Sequence, residues 1–337
     1  MTRPPALRGI GRALVCASAF ACPLLPVPAF SQSPPIALTQ TIPLPGVRGR
    51  IDHLDIDSDG ARLFVAALGN DSVEVIDLRT GTRSARLEHL REPQGVAYLP
   101  DAKRLLIAEG GNGRVDVLSG HALASAVRID GLEDADNVRY DLATRKAYVG
   151  YGSALAVIDP ATAKVARRVM LRGHPESFQL EATGARIFVN VPSAAQIVVV
   201  NRNAASVLTA WSLGEMRANY PMAFDEREHR LFVGTRRPAA LLVYDTETGK
   251  RVAWVSIGGD VDDLFFDSDR KRVYAICGQG TIDVMQQIDS DHYRRIDEVP
   301  TAPGARTGLL AAARRAIYVA VPARGASVAE IRVYAVR

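Results

Sequence analysis

The chain has 337 residues and only three cysteines, two tryptophans and five methionines. Cys16 and Cys22 lie ahead of Gln32, so a chain that lacks segment 1–31 keeps Cys277 alone and can form no internal disulfide. Its stability must come from packing. Excess charge is missing too. Of the 41 Lys and Arg, Arg3, Arg8 and Arg12 stand in segment 1–31, where there is no acid, which leaves 38 bases against 37 acids. A nucleic-acid partner recruited by bulk positive charge is not expected. Long uninterrupted apolar runs are absent as well. Residues 13–25 come nearest, but prolines at 23, 26 and 28 break them, and a span needs about 20 apolar residues. The motif G-x-S-x-G does not occur, nor does H-E-x-x-H.

What segment 1–31 does contain is a basic start, an apolar centre and Ala29-Phe30-Ser31. That order reads as a signal peptide cleaved near Ser31, placing a chain of residues 32–337 in the periplasm or outside the cell with no membrane span.

The rest repeats. A basic residue followed by a β-rich run recurs as Arg62-Leu-Phe-Val, Arg104-Leu-Leu-Ile, Lys146-Ala-Tyr-Val, Arg186-Ile-Phe-Val, Arg230-Leu-Phe-Val and Arg272-Val-Tyr-Ala, with Ala316-Ile-Tyr-Val as a seventh copy. The spacings are 42, 42, 40, 44, 42 and 44 residues. Each unit reads as four short strands, a to d, separated by turn signals; units of about 40–45 residues with four strands make propeller blades. Six and eight places ahead of each anchor the residues are nearly all apolar, as in Leu54/Ile56 and Leu264/Phe266, so one face of strand a packs against a neighbouring blade. The last unit runs out before a fourth strand, whereas residues 36–42 form a spare one. The fold expected is all-β: one seven-bladed propeller, a monomer, with 36–42 paired to 330–333 to close the ring.

The repeat resembles the YVTN-type propeller repeat of YncE-like secreted bacterial proteins. The residues that carry the resemblance are Phe64-Val-Ala, Tyr148-Val-Gly, Phe188-Val-Asn, Phe232-Val-Gly and Tyr318-Val-Ala at the ends of strand b. Val75-Ile-Asp, Val157-Ile-Asp and Val243-Tyr-Asp in strand c add to it. The resemblance implies a seven-bladed periplasmic propeller and brings no catalytic residues, since the pattern is structural.

Chemistry is expected where the innermost strands begin. Ten places ahead of the anchors stand Asp52, Gln94, Asp136, Glu176, Tyr220, Asp262 and Arg306. The next column holds His53, Asn137 and Asp263, and two places earlier come Arg50 and His174. Equivalent positions in a ring share one height, so these columns should surround one mouth of the central channel. One reading is a solvated mouth whose acids are offset by Arg50 and Arg306. A second is a divalent cation on Asp52, His53, Asp136, His174, Glu176 and Asp262, with carboxylates suiting Ca2+ or Mg2+ and imidazoles suiting Zn2+ or Cu2+. A third is a small polar ligand on Arg306, Asn137 and Tyr220.

Other motifs carry less. Asp55-Ile-Asp57-Ser-Asp59-Gly60 begins like a calcium loop, but position twelve is Ala66 where a Glu is required, and Asp57 recurs in register as Asp141, Asp225 and Asp267, a turn residue. Arg236 and Arg237, in a b–c loop, read as an exposed basic turn, the alternative being contact with an anionic ligand. Cys277 ends an apolar strand and reads as a buried hydrophobe. Two function classes remain: a binding or scaffold module offering the mouth to a protein or small molecule, or an enzyme there. The enzyme would be a lyase or hydrolase with a channel-bound metal, or a dehydrogenase-associated subunit, using His53 or His174 with a carboxylate.

Overall fold

In a computed structural model of the chain, the structure describes residues 1, 2, 5, 33–57, 59–120 and 122–337. The leader, with its cleavage point near Ser31, lies outside the described residues. Residues Pro34–Arg337 form one compact unit. Seven four-stranded antiparallel sheets follow one another around a ring, and no α-helix occurs among the described residues. No described helix is long and apolar enough to cross a membrane.

Blade 1 shows how the repeat builds a sheet. Leu54–Ile56 is strand a, Arg62–Ala67 strand b, Ser72–Asp77 strand c and Thr82–Leu87 strand d. Strand a ends at the Asp57 carboxylate, which accepts hydrogen bonds from the backbone N–H of Ala61 at 2.8 Å and Arg62 at 3.1 Å. Asp141 and Asp267 are buried in the same way and accept backbone N–H bonds within their own turns.

The ring closes as expected. Ile36–Leu44 pairs with Ala329–Val336, from Ile36 opposite Val336 to Leu44 opposite Ala329, and supplies the outer strand of blade 7. The core is not central. Seven apolar clusters lie between neighbouring blades; one joins Leu63 and Val65 of blade 1 to Tyr318 and Ile331 of blade 7. Cys277 is fully buried in one of them, as its apolar surroundings imply, and burial pushes its thiol up.

The basic anchor that marks the repeat also ties blades together. Arg186 donates to the Thr246 carbonyl at 2.8 Å and meets Glu247 at 2.5 Å, while Arg230 reaches Asp291 at 2.7 Å. Arg104 donates to the Pro160 carbonyl and Arg272 to that of Arg337. Each partner belongs to the following blade, so these cations hold the outer turns in place. At the inner strands the blades approach closely. A methyl group on Gly95 would stand 2.1 Å from the Asp136 carbonyl oxygen, which explains a glycine directly after Gln94.

Candidate functional site

The seven inner strands enclose a channel of about 470 Å3, to which every blade contributes, as with Leu54, Val96, Val138, Gln179, Met222, Leu264 and Leu309. His53 and Asp263 line it, together with Asp55 and Arg139, which sit seven places ahead of their anchors. That column shows a polar alternation in blades 1, 3 and 4 (Asp55, Arg139 and Gln179), and it was a signal for channel-facing residues that the mouth columns alone do not include.

Around the mouth the charges are unevenly matched. Arg50 Nη2 lies 2.6 Å from Asp52 Oδ2. Asp262 is gripped twice, by Arg236 Nη2 at 2.5 Å and Arg306 Nε at 2.9 Å. The same two arginines reach Asp260 at 3.2 and 3.1 Å. Arg236 is therefore no exposed turn residue. Strand b of blade 5 runs on to Arg237, carrying Arg236 over the Tyr220 ring at 4.1 Å from its centroid. The face of Tyr220 is thereby covered, and Arg306 is engaged by two acids rather than open to a ligand.

On the opposite side, across blades 3 and 4, no guanidinium pairs with the mouth acids among the described residues; Arg139 lies deeper in the channel, where it donates to Ser177 Oγ at 3.4 Å. Asp136 and Glu176 have no Lys or Arg nitrogen within 4.0 Å among the described residues. Asp136 is 6% exposed and its Oδ1 accepts no hydrogen bond. The basic groups within 4.0 Å of it are imidazoles: His53 Nε2 is 3.9 Å from Oδ1 and His174 Nε2 is 3.9 Å from Oδ2. His53 stands between mouth and channel, since its Nδ1 is 3.7 Å from Asp263 Oδ1 and its Nε2 is also 3.9 Å from Asp52. His174 is fixed from behind, with Nδ1 3.1 Å from the Gly152 carbonyl and 3.4 Å from Asp134 Oδ2. Gln94 also donates to Asp134, at 3.3 Å. Asn137 is buried beside them with its Oδ1 unpartnered. Glu176 and His174 open onto a cleft of about 450 Å3 shared with Arg217, Tyr220 and Arg237.

The electrostatics follow from this geometry. Burial pushes Asp52 up to about 8, with Asp136 and Asp262 adding to the shift and Arg50 opposing it. Burial likewise takes Glu176 to about 8, reinforced by Asp136 and resisted by His174. Asp263 rises to about 7, again chiefly through burial, against the pull of His53 and the Gly308 N–H. For these raised carboxylates desolvation is the larger cause and mutual repulsion the smaller. For Asp136, burial is outweighed by His174 and His53, which hold it below the usual carboxylate range. Burial works against a charged His174, but Asp136, Glu176 and Asp134 outweigh it and push the imidazole up to about 9.

No protein-family model and no curated protein matches the chain. Among solved structures, a chain of the Kuenenia stuttgartiensis hydrazine synthase is 15% identical with a TM-score of 0.72, covering 84% of this chain and 99% of that one. A chain from a mitotic checkpoint complex is 14% identical with a TM-score of 0.77, covering 96% and 99%. At such identities the likeness shows the fold alone, a propeller.

Proposed function

We propose that this is a secreted or periplasmic propeller of the YVTN, YncE-like kind, exported by segment 1–31. It works as a binding module that takes a cationic ligand at the acidic side of its channel mouth. The observation that carries the reading is the split of charge. Asp52, Asp260 and Asp262 each have a guanidinium within 3.2 Å, whereas Asp136 and Glu176 have none within 4.0 Å among the described residues. A carboxylate as buried as Asp136, with an oxygen that accepts no hydrogen bond, costs free energy that a ligand could return.

A ligand that binds only the folded state raises its melting temperature. Thermal unfolding should therefore be measured at pH 8 with Ca2+, Zn2+, arginine amide or spermidine, and with citrate or sulfate. One or more of the cations should stabilise the protein, and the anions should not. Stabilisation by the anions alone would mean that the arginines are the recognising groups, and the reading would be wrong.

A further inference from the structure

Three donor groups on the acidic side converge more closely than a general cation site requires. One ligand atom from each of Asp136, His174 and Glu176 can be chosen so that all three lie within 4.8 Å of one another. Donors at about 2.0–2.2 Å from a tetrahedral ion stand roughly 3.3–3.6 Å apart, so a modest inward turn of the side chains would complete the set. Glu176 is half-buried on the cleft and has room to make that turn.

Two further observations point to a ligand. Asp136 is 6% exposed and its Oδ1 is unpartnered, which leaves a buried acceptor facing His53 and the mouth. His174 is oriented as metal-bound histidines are. Nδ1–H donates to the Gly152 carbonyl at 3.1 Å, with Asp134 at 3.4 Å behind it, so that Nε2, 3.9 Å from Asp136 Oδ2, is the nitrogen that would exchange its proton for the ion. A backbone carbonyl or carboxylate on the far ring nitrogen fixes the tautomer and strengthens the ligating one.

Resting on the cation reading above and narrowing it, we propose that Asp136, His174 and Glu176 bind one divalent first-row metal ion of the zinc type. The imidazole selects against Ca2+ and Mg2+, which prefer all-oxygen sets. Two carboxylates match the ion's charge. Three protein ligands leave a fourth position towards the cleft, where water or a further ligand completes the shell. His53, with Nε2 at 3.9 Å from Asp136 Oδ1, is near enough to enter that shell on a small shift. Asp134 acts as a positioning residue through His174.

The test uses Co2+ as the probe, since four- or five-coordinate cobalt absorbs visibly and octahedral aqueous cobalt does so weakly. The full-length protein, stripped with EDTA and titrated with Co2+ at pH 8, should take up one equivalent with a strong visible band, and Zn2+ should abolish that band. His174→Ala should remove it. Glu176→Gln, on the rim, should weaken cobalt binding by about tenfold or more, and Asp134→Ala should weaken it while keeping the band. Circular dichroism confirms that each variant is folded; should His174→Ala not fold, Glu176→Gln alone decides. Absence of a band, a band unchanged in the folded variants, or displacement by Ca2+ as effective as by Zn2+ would overturn the metal assignment. If organic cations still raise the melting temperature in that case, the broader reading stands. If no cation does, both fail.

Discussion

Deleting residues 34–44 is expected to produce a protein that aggregates or melts at least about 10 °C lower, the largest stability effect of any short deletion in the ring. The segment supplies the outer strand of blade 7, paired over its length with Ala329–Val336. Ile36, Ile42 and Leu44 are each at most 1% exposed. Truncating one such side chain costs about 2–5 kcal/mol, so three together approach the whole stability of a typical domain, about 5–15 kcal/mol. A loss of about 1 kcal/mol lowers the midpoint by roughly 2–4 °C in larger domains. The deletion also bares the edge of Ala329–Val336, which can then pair with another chain. A permutant restores the fold if closure is the cause. Arg337 N–H donates to the Pro35 carbonyl at 2.9 Å, so the chain end lies beside the start of the strand. A protein starting at residue 45 with an Asn-Gly turn and residues 34–44 added after Arg337 makes an ordinary hairpin there. It should melt near the parent, by calorimetry. A deletion variant that stays monomeric with an unchanged midpoint would refute the closure argument.

The second large effect is on pH. Asp52 and Glu176 sit at about 8 and Asp263 at about 7, all above their unfolded values, and His174 sits at about 9. For each, the folded state holds its proton more tightly than the unfolded chain does. Stability is therefore fully present below the unfolded value and is lost as pH rises through the folded one. For the three acids that window runs from about 4 to about 8, and for His174 from about 6.5 to about 9. Asp136 runs the other way, since its lowered value matters only in acid. One unit is worth about 1.4 kcal/mol, and the four groups repel or attract one another, so the combined loss is on the order of several kcal/mol rather than a simple sum. The metal-free protein in EDTA should melt many degrees lower at pH 9 than at pH 5.5, and Glu176→Gln should flatten the curve. A midpoint that is flat or rises across that range would show that these acids are well solvated or better paired than the geometry indicates.

Much of the architecture was readable because a propeller writes its period into the chain. The anchors gave seven units, and the missing fourth strand after residue 333 predicted the closure by residues 36–42. The anchors' partners were less obvious. Arg230 reaches Asp291, 61 residues on, and Arg272 reaches Arg337, 65 residues on, about one and a half repeats away, so a search within one repeat misses them. At the mouth, register placed Asp52, Asp136, Glu176 and Asp262 at one height but could not say which acids are neutralised. That depends on Arg236, which reaches the mouth only because strand b of blade 5 is eight residues long where most are six. Desolvation, the main cause of the raised acids, is a property of the closed ring and has no local sequence signature. Asp262, grouped from its column with the candidate metal ligands, lies between two guanidiniums; replacing it would release Arg236 and Arg306 and so test a structural pairing instead.

Whether Asp136 and Glu176 serve a ligand or the fold is decided by the double variant Asp136→Asn with Glu176→Gln. Its melting temperature at pH 8 in EDTA should stay within a few degrees of the parent's, because relief of the buried Glu176 carboxylate offsets the lost attraction of Asp136 for His53 and His174. The rise in midpoint that Zn2+ gives the parent should vanish. A variant that melts many degrees lower, yet still gains as much from Zn2+ as the parent, would show that these carboxylates hold the ring together and that the cation binds elsewhere.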